Sequence, residues 1–387
     1  MHVAAGTYRE RVAIHTSGTQ RAPITFIAEP GGKVSLTGGS NGFYVSNASW
    51  VTLAGFTIDG TTGYGISVIN AAHVTVSRNR ISRSGKRLPG ALAAGIYLRD
   101  VSDSLVSKNT SFANSYAGIL LTFGATRNVV RENVTHDNVS GYDRRAPGIR
   151  LYEAPDNTVT ANVSYDNEDS GIEMYPGSTG ALVSNNVVYG NGDHGIDVFR
   201  APGARILANT VHGNRTAGIN IEGGSGHSLI ANNIAVDNGV ASPRSKGNIR
   251  VDVDSVDGTT MNFDLVYLST PPETANLPTS PETANPSYLV VWAGTGFVAL
   301  HDLTVATGQE NRGIWANPDW VNPAAGNYRL TSRSPGIDSA DSNAPGQPGR
   351  DMVGHGRVDT RRAPNTGAGR VPFVDRGAFE FVGGKAK

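Results

Sequence analysis

"GIRLYEAPDNTVTANVSYDN", residues 148–167, carries three short apolar alternations, each closed by a turn rich in Asn, Asp or Pro. No run in it is long enough for a helix, and alternation of period two marks strands. Its opening Gly-Ile recurs: "GISV" from Gly65, "GIYL" from Gly95, "GILL" from Gly118, "GIEM" from Gly171, "GIDV" from Gly195 and "GINI" from Gly218. "GFYV" at Gly42 precedes them and "NIRV" at Asn248 follows, with successive spacings of 23, 30, 23, 30, 23, 24, 23 and 30 residues. A period of this length is that of a stacked solenoid. Three strands per repeat make it all-β: a right-handed, single-stranded parallel β-helix. At about 4.8 Å per rung, roughly nine rungs predict a core about 40 Å long.

Composition agrees. The chain has 387 residues, 48 of them Gly and 20 Pro, no Cys, and 33 basic against 33 acidic side chains. A net charge of zero argues against binding nucleic acid by bulk charge, and no apolar run is long enough to span a bilayer. The absence of Cys excludes disulfides and thiol chemistry. The opening "MHVAAGTYRE" has no leader pattern and enters a strand at once, so a secreted protein is expected to have been trimmed here. Asparagine recurs in two columns, Asn79, Asn109, Asn133, Asn162, Asn186, Asn209, Asn233 and Asn114, Asn138, Asn167, Asn191, Asn214, Asn238. These predict internal amide ladders at left-handed turns. Several also read as Asn-x-Ser/Thr, but glycosylation there would break the stack. The repeat is expected over 1–262. From 263 to 387 a Pro-rich stretch, "PPETANLPTSPETANPS", and a turn-rich tail are expected to cap the open end of a monomer.

Strand side chains alternate between faces, so each Gly-Ile strand sends Ile and the next aliphatic residue inward. One outward column then reads Tyr44, Ser67, Tyr97, Leu120, Arg150, Glu173, Asp197, Asn220, Arg250, and the next reads Arg99, Thr122, Tyr152, Tyr175, Phe199, Glu222. "YDNEDSGIEMYPGS" (165–178) and "YGNGDHGIDVFRAP" (189–202) place acids on both sides of the same Gly-Ile: Asp169 and Glu173, then Asp193 and Asp197. The four are expected as a square across adjacent rungs, with Arg150 one rung earlier and His194 beside Gly195. Close carboxylates repel, so a cation, protonation or Arg150 must hold them. Oxygen donors with one nearby His favour Ca²⁺ over zinc. The alternative is a solvated acidic edge.

The three long repeats place their extra residues just before the next Gly-Ile, in "SGKRLPGALAA", "SGYDRRAP" and "GVASPRSKG". They carry Lys86, Arg87, Arg144, Arg145, Arg244 and Lys246 against one acid, Asp143. In a chain of zero net charge this predicts a basic wall and an acidic polysaccharide lying along it, unless the charges are merely solvated. Tyr97, Tyr152, Tyr175 and Phe199 suit stacking on sugar rings as well as on one another.

With these residues placed, the chain resembles the secreted bacterial right-handed β-helix proteins, among them pectate, alginate and chondroitin lyases, mannuronan epimerases and several glycoside hydrolases. The N-terminal "VAAGTYRERVAIHTSGTQRAPITFIAEPGGKVSLTGG" and the C-terminal cap are similar to recurring segments of that group. The resemblance spans nearly the whole chain and is specific for fold, less so for activity. In motif the chain looks most like family-nine pectate lyases, which carry Asp-Asp-Gly-x-Asp for calcium and a catalytic Lys in a following Gly-Phe-Lys strand. "GDHGID" supplies Asp193 and Asp197 with His194 in place of the second Asp; Asp169 or Glu173 would fill the earlier-rung position. The position of the lysine is Asn220, whose amide cannot abstract a proton. The Asp-Pro-His element of mannuronan epimerases is absent.

The resemblance implies a lyase acting on a uronate polymer by β-elimination, with Ca²⁺ on Asp169, Glu173, Asp193 and Asp197. The base would be His194, Arg150 or a residue of Arg244–Arg250, a neutral His being chemically easiest. Arg99, Tyr152, Tyr175, Phe199, Asn220, Glu222, Lys246 and Arg250 are the expected substrate contacts. Three other readings stay open, one of them an epimerase of this fold. Glu173 and Asp197, one rung apart, have the spacing of a retaining hydrolase pair. A non-catalytic polysaccharide-binding solenoid would use the same groove.

Overall fold

A computed structural model describes residues 1–142, 144–240, 242, 244–270 and 287–383. The "PETAN" stretch and Asp143 lie outside the described residues. Two compact units divide the chain, residues 1–181 and 182–387. Both are built from the same parallel coil, a right-handed β-helix of three sheets.

In the first unit, the sheet formed by the Gly-Ile strands contains Val12–Ile14, Phe43–Ser46, Ile66–Ala72, Ile96–Ser102, Ile119–Thr122, Ile149–Tyr152 and Ile172–Met174, each parallel to the next. The register is the one the repeat predicts: Tyr97 faces Leu120, Leu120 faces Arg150, and Arg150 faces Glu173. In the second unit Ile196–Phe199, Ile219–Glu222, Ile249–Val251 and Val290–Trp292 continue the motif, with Asp197 paired to Asn220 and Asn220 to Arg250. Inward Ile side chains stack without solvent exposure, Ile66 through Ile172 in one unit and Ile196, Ile219 and Ile249 in the other. The Gly before each Ile is there because the coils approach closely. A Cβ on Gly148 would lie 2.0 Å from Ser164 Oγ, and one on Gly195 would lie 2.5 Å from Gly218 O.

The asparagine columns form ladders. Asn133 donates from both its backbone N–H and its side-chain amide to Asn162 Oδ1 at 3.0 Å, and Asn191 does the same to Asn214 at 3.1 and 2.9 Å. A further ladder, Asn128 to Asn157, escaped the sequence pattern. The left-handed residue is not the ladder Asn but the one before it, as at Lys108, Ala161 and Asp166, with φ of 57°, 57° and 50°. The doubly bonded Asn holds its neighbour there, which is why residues as unsuited as Lys and Ala tolerate the position.

Past residue 262 the coil continues rather than dissolves. Leu265–Tyr267 and Val290–Trp292 add strands to two of the sheets of the second unit. A helix, Leu300–Thr307, closes on Gly308 in the left-handed region. Beyond it the tail packs along a flank: Leu330 and Ile337 join Ile234 and Leu265 in one apolar cluster, and the Tyr328 hydroxyl lies 3.0 Å from His212 Nδ1.

Candidate active site

The four acids divide between the units: Arg150 holds both acids of the first pair, and Arg244 reaches Asp193 of the second. In the first unit Arg150 Nε donates to Glu173 Oε2, Nη2 to Asp169 Oδ2 at 3.3 Å, and Nη1 to the Tyr116 hydroxyl. The rings of Tyr175 and Tyr116 flank its guanidinium at 4.7 and 5.2 Å. Burial opposes the charge on Arg150, but Glu173, Tyr116 and Asp169 outweigh it and raise its pKa. Glu173 is fully buried and Asp169 nearly so.

In the second unit the strand position of Glu173 is taken by Asp197, and the residue before the Gly, Ser170 in the first unit, is His194. His194 is 2% exposed. Its Nδ1 lies 2.8 Å from Thr216 Oγ1, which lies 2.7 Å from Asp193 Oδ1, and Arg244 Nη2 donates to the same Asp193 oxygen. On the other side, Asn220 Nδ2 lies 3.3 Å from His194 Nε2 and 2.8 Å from Asp197 Oδ1, while Asn220 Oδ1 accepts from Arg250 Nη1 at 2.9 Å.

These contacts fix the tautomer from both ends. Carboxylate Asp193 only accepts, so the single Thr216 proton goes to it, and Thr216 accepts from His194 Nδ1–H. Guanidinium Arg250 only donates, so Asn220 turns its oxygen to Arg250 and its NH₂ to Asp197 and His194 Nε2. Both chains leave the lone pair on Nε2. Asp193 Oδ1 is 3.8 Å from Nε2, beyond hydrogen-bond reach. Burial is the main reason that the imidazole pKa lies below its ordinary 6.5; Asp193 and Glu222 pull the other way, and Arg244 and Arg250 reinforce the depression. His194 is thus held neutral with a defined acceptor nitrogen.

Other expected contacts separate. Arg250 also donates to Glu222 Oε2 at 2.9 Å, and both side chains keep some solvent contact, 15% and 27% exposed. Phe199 is half-buried, with the Arg200 guanidinium 4.9 Å from its ring, and Arg99 is exposed beside Phe123. Tyr152 and Tyr175 line a pocket of the first unit with Arg150. The basic wall does not form as expected: Lys246 is only 3% exposed and Arg244 turns in to Asp193, leaving Lys86, Arg87, Arg144 and Arg145 exposed in the first unit.

The donor set expected for calcium fits it poorly. Arg150 supplies the positive charge for Asp169 and Glu173, and Arg244 does so for Asp193. Among the described residues one cluster has metal-ligand geometry, His194, Asp197 and Glu222, with donor atoms within 4.8 Å of one another. Its nitrogen donor is not one calcium prefers, and Arg250 already holds Glu222. Sequence reading missed Thr216 and Tyr116. Both stand two residues before a Gly-Ile, the column that also supplies Asp169 and Asp193, so following that column through every repeat would have found them.

A family model described as "Right handed beta helix region" matches residues 32–152 and 141–235, and the chain belongs to that family. Over 151 residues it is 25% identical to a mannuronan C5-epimerase of Pseudomonas putida, a match covering 39% of this chain and 27% of that protein. The chain therefore spans about a quarter of that relative. Among solved structures, pectate lyase Pel9A superposes over 98% of this chain and 87% of its own, at 17% identity and TM-score 0.56. The Dettilon tailspike protein covers 82% of this chain and 62% of its own, at 16% identity and TM-score 0.55. A variant of the periplasmic alginate epimerase AlgG covers 76% and 78%, at 13% identity and TM-score 0.50. At these identities the structural likeness is one of fold. Among the described residues no helix is long and apolar enough to cross a membrane.

Proposed function

We propose that the protein acts outside the cytoplasm on a uronate-containing polysaccharide, and that His194 removes the ring proton at C5 in a β-elimination. The observation that carries this is the pair of hydrogen-bond chains that leave Nε2 of a buried, neutral His194 as acceptor. In the reaction Nε2 takes the C5 proton, the C5–H electrons form the C4–C5 double bond, and the C4–O4 bond breaks. The imidazolium formed returns its proton to the departing O4. Arg250, which keeps solvent contact, pairs with the uronate carboxylate and stabilises the charge that develops on it. To reach Nε2 the substrate must displace the long 3.3 Å contact from Asn220, itself buried, and uncover a ring that is 2% exposed. Thr216 and Asp193 hold the ring and stabilise the imidazolium.

A second reading has its own support in the mannuronan C5-epimerase match. Epimerisation begins with the same proton abstraction and ends with reprotonation from the opposite face, leaving O4 in place. One experiment separates the two and tests both. Pectate, alginate, chondroitin and hyaluronan are incubated in deuterated water, with ultraviolet absorbance reporting unsaturated ends and NMR reporting deuterium at C5. Absorbance is expected on one polymer. Deuterium at C5 without chain cleavage would replace elimination by epimerisation. Neither signal on any polymer, or new reducing ends without unsaturation, would overturn the shared step. Exhaustive chelation is expected to leave the rate unchanged; its loss would return calcium to the mechanism.

A further inference from the structure

The pocket over Arg150 has a chemistry of its own. It encloses about 320 Å³ in the first unit, within the range of small-molecule sites, and its walls include Tyr64, Tyr97, Tyr116, Tyr152 and Tyr175 above Arg150. The aromatic surface is organised: Tyr64 stacks on Tyr97 with centroids 4.3 Å apart and 11° between planes, and Tyr152 meets Phe123 edge-on at 5.6 Å. Tyr64, Tyr116, Tyr152 and Tyr175 are each half-buried, so each keeps some solvent-accessible surface.

The cation at its base is outnumbered, one positive charge on Arg150 against the two carboxylates of Glu173 and Asp169. Each Arg150 nitrogen is engaged, Nε by Glu173, Nη2 by Asp169 and Nη1 by Tyr116. Burial also pushes the Tyr64 phenol up to about 12, and the neighbouring Tyr97 and Tyr116 add to the effect. What the pocket offers is a set of flat apolar faces ringed by hydroxyls, with Thr122 Oγ1 and Tyr97 hydroxyl 3.3 Å apart on one wall. A sugar ring matches this, with C–H bonds on its flat side and hydroxyls at its edge. A carboxylate at the base does not, because it would lose its water beside buried Glu173 and Asp169, two negative charges against the one of Arg150, while Arg99 beside Phe123 stays exposed to solvent.

We infer that this pocket binds an uncharged pyranose ring. The inference stands on the first unit's residues alone and holds whether or not His194 abstracts a proton. With the uronate reading added, it deepens that reading: the glycan mixes neutral and acidic rings and is not a plain polyuronate.

The test uses the galacturonate trisaccharide and its carboxyl-reduced form, in which each acid becomes the neutral hexose. Titration calorimetry gives affinities, and saturation transfer from the aromatic protons reports which sugar protons lie on the rings. The neutral trisaccharide is expected to bind, with transfer to its ring C–H protons. Tyr152→Ala and Phe123→Ala are each expected to weaken it about two- to tenfold, the scale of one aromatic contact. Phe123 is 46% exposed, so its removal leaves the fold intact. Tighter binding of the acidic trisaccharide that is lost in both variants would overturn the inference, as would binding of phenol alone as strong as that of the sugar. Absent binding of the neutral sugar, or binding unchanged in both variants, would also overturn it. Turnover of a polyuronate by the same preparation shows that any such failure belongs to this pocket and not to the His194 chemistry.

Discussion

Residues 169–173 and 193–197 are the same five-residue phrase, Asp-Ser-Gly-Ile-Glu and Asp-His-Gly-Ile-Asp, set on the same strand position in two units. Their fates differ. In the first, Arg150 lies in the outward column one strand earlier and draws both acids into a buried ion knot roofed by tyrosines. In the second, the column continues into Asn220 and Arg250, which orient a neutral imidazole. A repeat fixes where a side chain stands; its neighbours along the column decide whether it is structural or reactive. Arginine between two carboxylates ties both acids into ion pairs, whereas an amide between a carboxylate and an imidazole passes on hydrogen-bond direction without supplying charge.

Substitutions can break this contrast. The largest effect is expected from His194→Gln, which removes the acceptor nitrogen but keeps an amide that can still bond Thr216. Turnover of the uronate polymer should fall about 10²- to 10⁴-fold, with an unchanged melting curve. Glu173→Gln should do the opposite, leaving a buried guanidinium without its main partner. Destabilisation of about 3–5 kcal/mol is expected, read as a lowered denaturant midpoint, while activity per folded molecule is retained. If Glu173→Gln abolishes activity in a fully folded protein, the knot is catalytic and the distinction between the units fails.

Smaller effects sharpen the picture. Thr216→Val keeps the shape of the side chain and removes the acceptor for Nδ1–H. A charge-assisted bond to the imidazolium is worth about 1.5–3 kcal/mol, so kcat/KM should fall roughly ten- to hundredfold. The corresponding change in a ladder, Asn162→Ala, should cost about 1–3 kcal/mol of stability, because it strands the donors of Asn133; activity per folded molecule should be unaltered.

The fold was legible because Gly-Ile marks a place where two coils touch, and packing tolerates only glycine there. The candidate residues were legible as columns for the same reason. Their partners were not, because pairing depends on side chains that cross from one turn to the next. Arg150 could be expected to hold the acids from its place one strand earlier, but Arg244 reaching Asp193 over a span of 51 residues leaves no local trace. Lys246 looked like part of an exposed basic wall because loop charges usually are exposed, yet it is drawn inward. Thr216 was visible in the column before Gly-Ile but reads as an ordinary turn residue until Asp193 and His194 are seen on either side of it.

Nitrogen-15 NMR of the histidine-labelled protein tests the state of His194 directly, with its signal assigned by its disappearance in His194→Gln. Because burial lowers the folded pKa, the neutral ring should persist as pH falls below 6.5, the ordinary value. The acid limb of kcat/KM should lie below the same value, and the folded state should lose stability as pH drops, since the unfolded chain takes up the proton first. The expected spectrum at pH 6.5 is a neutral imidazole with its proton on Nδ1. An imidazolium at that pH, or a proton on Nε2, would contradict the assignment of His194 as the base.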